Sequence, residues 1–132
     1  MRFRKGAKYS RLDLHQILGG DLQSYLPHKE GKILYGAFTH DDNPQAPDVV
    51  LVGQGPGIEA AAELFLAQAQ PVPVFVKRDA NQWEYCGLFH VAKDSREPEL
   101  LDDHTRRVGR PVRRVLYLEE IAQAPSAEAA PA

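Results

Sequence analysis

The sequence predicts an α+β fold: a curved mixed β-sheet or partly open β-barrel packed against one main helix and one short N-terminal helix. Three observations carry this expectation. Asp48-Val49-Val50-Leu51-Val52 is rich in β-branched residues and reads as a strand buried on both faces. Ile58 to Gln68 is dominated by Ala, Glu and Leu, which lose least on entering a helix. Downstream, Val72, Val74 and Val76, then Trp83, Tyr85, Leu88, Phe89 and Val91, mark two half-buried strands with near two-residue periodicity.

The first helix is framed by the capping residue Ser10, by Asp13 at its third position and by the Gly19-Gly20 stop; its apolar face is Leu14, Ile17 and Leu18. Residues 21–31 hold Pro27 and Gly31 and read as a loop. Lys32 to Thr39 reads as a strand interrupted by Gly36, and Asp41 to Pro47 as a polar connector. After the buried strand, Gly53-Gln54-Gly55-Pro56-Gly57 turns into the main helix. That helix would bury Ile58, Ala61, Ala62, Phe65 and Leu66 and stop before Pro71 and Pro73. The following strand ends at Lys77-Arg78, and Asp79-Ala80-Asn81 makes a hairpin turn. Face alternation in the next strand slips at Cys86-Gly87, as a β-bulge would cause. Residues 93–111 read as a charged connector with a helical turn near Leu100, and Pro111 to Leu118 as the last of about five strands. The expected organisation is one domain over residues 1–121 and a flexible Ala/Pro-rich tail over 122–132.

With 43% hydrophobic and 26% charged residues, the chain can bury a core unaided. Its one cysteine, Cys86, excludes an internal disulfide and a cysteine-based zinc site, which suits a reducing compartment. No apolar run approaches the roughly 20 residues of a membrane span. Met1-Arg2-Phe3-Arg4-Lys5 lacks the apolar stretch of a signal peptide. A cytoplasmic protein without a membrane partner is the expectation.

The net charge of −2 argues against an indiscriminate polyanion binder, but the cations are concentrated. Arg2, Arg4, Lys5, Lys8 and Arg11 crowd the start, and Arg106, Arg107, Arg110, Arg113 and Arg114 crowd a later segment. The candidate phosphate-binding residues are Arg4, Lys5, Lys8, Arg11, Lys77, Arg78, Arg106, Arg107, Arg110 and Arg114. Folding that brings both clusters onto one face would polarise the molecule; the alternative is two solvated charge runs balanced by neighbouring acids.

Gly53, Gly55 and Gly57 lie between a strand and a helix, where backbone N–H groups and the helix dipole favour an anion. The turn lacks the Lys-Ser/Thr of a P-loop and the spacing of a dinucleotide fingerprint, and Pro56 removes a donor, so a plain tight turn and a ligand loop both stay open. His15, His28, His40, His90 and His104 show no metal-helix spacing, and neither a metal nor a cofactor is expected. Cys86 and His90, four apart on a predicted strand, share a face as a nucleophile pair could. A buried cysteine in a bulge is the plainer reading. Asp21 with Glu30-Gly31-Lys32 is similar to the acid and Glu-x-Lys set that holds magnesium in many nucleases, although such sets lie on strands and these residues fall in a loop. Tyr35, Phe38, Trp83 and Tyr85 are interleaved with cations, and Tyr9 lies beside the first basic cluster; stacking on bases with phosphate neutralisation requires this combination. Phe38 and Phe89 are assigned to the core, while Tyr9 and Tyr85 have the better claim to a pocket.

In the order of its motifs the chain resembles a SET- and RING-associated (SRA) domain. Val49-Val50-Leu51-Val52-Gly53-Gln54-Gly55, a helix, Pro73-Val74-Phe75-Val76-Lys77-Arg78, Tyr85-Cys86-Gly87-Leu88-Phe89-His90-Val91 and Val112 to Leu118 follow one another. The family's Tyr-Thr-Gly-x-Gly turn, Pro-Val-x-Val strand, Tyr-Asp-Gly strand and closing strand do the same. Tyr9-Ser10-Arg11-Leu12-Asp13-Leu14-His15 with Gly19-Gly20 is similar to the opening of SRA-like modules in bacterial modification-dependent restriction endonucleases.

The resemblance, over about residues 8–121, implies a crescent-shaped β-barrel of the pseudouridine-synthase-and-archaeosine-transglycosylase (PUA-like) superfamily. It also implies DNA held across a concave basic face and, in many members, a flipped modified cytosine in a pocket. Tyr85 and Gly87 match the tyrosine and glycine of Tyr-Asp-Gly, and Gly53-Gln54-Gly55 matches the glycine turn near the pocket. Cys86 replaces the aspartate that accepts from the cytosine amino group, and a thiol is a poor acceptor. Leu51-Val52 replaces Tyr-Thr, and Pro56 enters the turn, so methylcytosine reading is not carried over with the fold.

The resulting expectation is a non-catalytic nucleic-acid-binding module for DNA, modified or not, or RNA, acting alone or with a separate effector protein. Tyr9, Gln54, Trp83 and Tyr85 would form its base pocket. One alternative is a protein-interaction module that kept the fold without its ligand. The other is a small nuclease or hydrolase using Cys86 with His90, or Asp21 with Glu30 and Lys32.

Overall fold

The computed structural model describes residues 3–121; Arg2 and the expected tail lie outside the described residues. The elements are β1 (Lys8–Tyr9), α1 (Arg11–Leu18), β2 (His28–Lys29), β3 (Lys32–Ile33), β4 (Gly36–Phe38), β5 (Val49–Gly53), α2 (Pro56–Ala67), β6 (Val72–Asp79), β7 (Gln82–Ser95), α3 (Pro98–Val108) and β8 (Val112–Glu120). The main sheet runs β4-β6-β7-β8-β5 with β1 added to β7, and β2–β3 form a separate hairpin. β4 and β6 are parallel, whereas the other main-sheet pairs are antiparallel. The sheet is therefore mixed and stays open, with β4 and β5 at its edges.

Local chemistry sets the helix ends. Ser10 and Asp13 form a reciprocal capping box, each side chain taking the other's backbone N–H at 3.0 Å, and Gly19 closes α1. Pro56 stands in the first turn of α2, where its missing N–H costs nothing. Gly109, in the left-handed conformation, closes α3.

α2 covers one face of the sheet through Ala61, Ala62 and Phe65, which meet Val50 and Val52 of β5, Val72, Val74 and Val76 of β6, and Leu116 and Leu118 of β8. The opposite face carries two separate clusters. At one end Leu14 of α1, Phe3 and Tyr9 pack with Tyr35, Phe75, Trp83 and Tyr85; at the other, Leu100, Leu101 and Val108 of α3 pack on Leu51, Val112 and Val115. β5 is thus buried on both faces, by α2 and by α3. Fully buried rings such as Phe38, Phe65 and Phe75 each stabilise the fold by about 2–3 kcal/mol.

β7 serves both faces because its register against β6 shifts between Val74 and Phe75, leaving Cys86 as the extra residue. Before this bulge Trp83 and Tyr85 face α1; after it Phe89 and Val91 face α2. Gly87 sits there at φ +127, and a Cβ would meet the Glu120 carboxylate at 2.6 Å.

The structure corrects several expectations. Residues 93–111 are not a connector: β7 continues to Ser95 and α3 makes a three-turn helix. The acids and cations of α3 masked a short apolar stripe, Leu100, Leu101 and Val108, that only docking makes visible. Lys32–Thr39 splits into β3, which belongs to the separate hairpin, and β4, and the main sheet has six strands rather than about five because β1 adds to β7. Ile58 is 41% exposed instead of packed in the α2 face.

Candidate functional site

Loops from four parts of the chain converge where β5 ends and α2 begins, around an open cleft of about 540 Å³. Its walls are Gln23 and Tyr25, Asp42 and Asn43, Leu51, Gly53, Gln54 and Ile58, and Arg110 and Pro111. The volume lies in the range of small-ligand sites.

The cleft is built around the edge of β5. Leu51 lies opposite Val115 of β8. Its N–H is accepted by Asn43 Oδ1 (2.7 Å), and its carbonyl takes a bond from Arg110 Nη2 (3.1 Å). Two side chains that floor the cleft thereby blunt an open sheet edge. Arg110 Nη2 also donates to the Asp42 carbonyl (2.7 Å), and its Nε lies 3.6 Å from Asp42 Oδ1. Gly53 lets the guanidinium lie flat on the backbone, since a Cβ there would stand 3.1 Å from Arg110 Nη1. Gly55 adopts φ +142, which a glycine tolerates and a β-carbon would oppose.

Tyr25 supplies the ring of the cleft. Its hydroxyl donates to the Ile58 carbonyl at 2.6 Å and its ring packs beside Phe38 at 6.4 Å. Burial pushes that hydroxyl well above its ordinary pKa, against the opposing pull of Arg110, so it stays protonated. The Gln23–Tyr25 wall is held firmly: Asp21 accepts the N–H groups of Gln23 and Ser24 and the Ser24 hydroxyl. The N-terminus of α2 is not a vacant anion site, because Glu59 Oε2 already takes the Gly55 N–H (3.1 Å).

Of the residues expected in a base pocket, only Gln54 lines this cleft. Trp83 (6% exposed) and Tyr85 (4%) are core residues, and Tyr9 packs with them against Phe3 and Phe75 at 5.1–6.1 Å between ring centroids. The physical reason is α1 and the N-terminal segment, which cover that sheet face and consume the rings. Gly57 is exposed in the first turn of α2.

The candidate phosphate contacts also separate. Arg11 is buried at 9% exposure between Tyr35 (5.6 Å) and Trp83 (5.1 Å) and donates to the carbonyls of Asp21 and Ser24. Arg114, 7% exposed, is clasped by Glu63 (2.8 Å) and Asp94 (3.4 Å). Lys5 pairs with Glu120, Arg78 with Glu84, and Arg106 and Arg107 with Asp103. Arg4, Lys8 and Lys77 are exposed with no ion pair among the described residues, as is Arg113. The two clusters do not share one hollow. Lys5 is tied to Glu120 at the end of β8, whereas Arg114 lies six residues earlier, about 20 Å along the strand.

The catalytic alternatives do not assemble. The bulge places Cys86 against the α2-side core while His90, adjacent to core-facing Phe89, points to the other face and lies 3.5 Å from Glu119. Burial, the largest influence on Cys86, pushes its thiol above the ordinary value, opposite to what an activated nucleophile needs. Glu30 and Gly31 form the β2–β3 turn, and Asp21 is spent within its own turn.

Sequence reasoning missed Tyr25, Asp42 and Asn43, and placed Arg110 only among phosphate contacts. A polar residue buried to 4%, such as Asn43, leaves no periodic signal when it sits in a connector. The faint sign was Asp41-Asp42-Asn43-Pro44 directly ahead of a buried strand.

The architecture is an SRA-like α+β fold. It superposes on the SUVH5 SRA domain in complex with hemimethylated CG DNA with a TM-score of 0.63, 16% identity, and coverage of 95% of this chain and 93% of that one. A SUVH5 SRA complex with hydroxymethylated CG DNA gives 0.59 at 18% identity, covering 95% and 89%. The type IV phosphorothioation-dependent restriction endonuclease ScoMcrA gives 0.52 at 16% identity, covering 97% of this chain and 30% of that much longer one. By sequence, residues 8–130 match the family described as Domain of unknown function (DUF6697), and the chain belongs to it. No curated protein matches the sequence. Among the described residues, no helix is long and apolar enough to cross a membrane.

Proposed function

We propose that this chain is a non-catalytic DNA-binding module that accepts one extruded base in the cleft beside Gly53. The carrying observation is the cleft itself: an open hollow roomy enough to admit a base on an SRA-like fold, with a half-buried arginine, a buried asparagine and one tyrosine ring on its walls. Extruding a base costs a few kcal/mol, and a ring with edge-reading polar groups is what offsets that cost. Two of the SRA neighbours named above were solved holding modified CG DNA, which supports DNA as the partner. Among the described residues, Arg4, Lys8, Lys77 and Arg113 are exposed, carry no ion pair and are the cations proposed to meet phosphates; Lys29 and Lys32 of the β2–β3 hairpin are exposed and unpaired as well.

Fluorescence anisotropy with a labelled duplex tests this. Four phosphate contacts predict a log–log salt slope of about −3 to −4. Absence of binding to duplex or single-stranded DNA at about 50 mM salt refutes it.

A second reading, a protein-interaction module, is favoured by the neutralised cations: Lys5, Arg78, Arg106, Arg107, Arg110 and Arg114 all face carboxylates. Stoichiometric co-purification of a partner that survives nuclease treatment, without DNA binding, would select it.

A further inference from the structure

Resting on the base-binding reading above, we infer that the cleft selects a base presenting a carbonyl, as uracil, thymine and guanine do, over one presenting an amino group at that position, as cytosine, methylcytosine and adenine do. The inference comes from which hydrogen-bonding groups the fold has already committed. Asn43 is buried and its Oδ1 is held by the Leu51 N–H, so the amide cannot flip without orphaning that donor. What it offers the cleft is its Nδ2, a donor with no partner among the described residues.

Arg110 commits Nη2 to the carbonyls of Asp42 and Leu51 and leaves Nη1, lying against Gly53, without a hydrogen bond among the described residues. The acceptors are not fixed in the same way: the Asp42 side chain is 65% exposed and lies 3.6 Å from Arg110 Nε and 3.5 Å from the Thr39 hydroxyl, contacts too long to hold it, so it can turn out to solvent while the two donors cannot. The Tyr25 hydroxyl is spent on Ile58. Gln54 is an exposed amide that can rotate to suit either edge, so it does not discriminate. Two fixed donors facing one hollow match a carbonyl and leave an incoming amino group opposite N–H groups, where its desolvation goes uncompensated.

The experiment measures affinity for duplexes that differ only at one nucleotide placed opposite an abasic site, so that extrusion is cheap for every base. That nucleotide is uracil, cytosine, 5-methylcytosine or a second abasic residue. Wild type is expected to bind the uracil duplex about tenfold or more tighter than either cytosine duplex. Asn43→Asp keeps an oxygen for the Leu51 N–H and replaces the donor by an acceptor, and should abolish or reverse the preference. Equal or tighter binding of cytosine or 5-methylcytosine by wild type overturns the inference, as does an unchanged preference in folded Asn43→Asp. Should that variant not fold, the wild-type comparison decides alone. Identical affinity for all four duplexes overturns base selection and leaves DNA binding standing, whereas binding to none overturns the proposed function as well.

Discussion

Replacing Arg11 by methionine separates a structural arginine from a phosphate contact. The guanidinium lies over Trp83 and Tyr35 and holds the carbonyls of Asp21 and Ser24, while the Arg11 backbone N–H bonds to Asn81. Each ring contact is worth about 0.5–1 kcal/mol, and each bond from a charged donor about 1.5 kcal/mol or more. Methionine keeps most of the apolar stem and relieves the cost of burying a charge, which offsets part of that loss. The expected net destabilisation is about 2 kcal/mol, against about 0.5 kcal/mol or less for an exposed arginine. In thermal unfolding this is a fall of about 6 °C.

Urea unfolding followed by tryptophan fluorescence is the direct assay, because Trp83 is the one tryptophan and Arg11 lies 5.1 Å from its ring. The midpoint should fall with an unchanged slope. Arg11→Lys should behave similarly, since an ammonium cannot reproduce the planar stack and fork. Stability within about 0.5 kcal/mol of wild type, together with a large loss of DNA affinity, would refute the structural assignment and return Arg11 to the phosphate contacts.

Gly53→Ala places a Cβ 3.1 Å from Arg110 Nη1, so the guanidinium must shift; DNA affinity should drop about tenfold while stability changes by about 1 kcal/mol or less, read by anisotropy and urea titration. Cys86 should react with a disulfide reagent at pH 8 at least about tenfold more slowly than free cysteine, because burial disfavours its thiolate; fast labelling would contradict its packing. At Asp21, burial opposes ionisation, but bonds from Ser24 and Gln23 and the charge of Arg11 outweigh it and hold the pKa below the ordinary 3.8. The ionised carboxylate therefore stabilises the fold above about pH 4, and this contribution is lost as pH falls through the lower folded value. Asp21→Asn should be less stable than wild type at pH 7, with the gap closing below about pH 4 in matched thermal melts.

Short-range order was legible wherever one residue type does a local job. Ser10 with Asp13, the Gly19-Gly20 stop, the buried run ending at Val52 and the slip at Cys86-Gly87 all act within a few residues, and the structure shows each in place. The order of those motifs was enough to point to an SRA-like sheet, which the superposition with SUVH5 supports at only 16% identity. α3 escaped because eight of its eleven residues are not apolar and its stripe is short. Cys86 and His90 were expected on one face by an even count, a count that the bulge between them breaks.

What the sequence by itself determined is the class of fold and the nature of its strands and helices, because hydrophobic period, capping and turn chemistry operate between near neighbours. Which rings face solvent and which arginines are free was decided only by tertiary structure. Tyr9, Trp83 and Tyr85 carry the same chemistry whether they line a hollow or fill a core, and the docking of α1 and the N-terminal segment settled the matter. Likewise Tyr25, Asn43 and Arg110, 18 to 85 residues apart in the chain, meet only because the open edge of β5 needs partners for Leu51. A site assembled from distant loops to satisfy buried polar groups has no local signature to read.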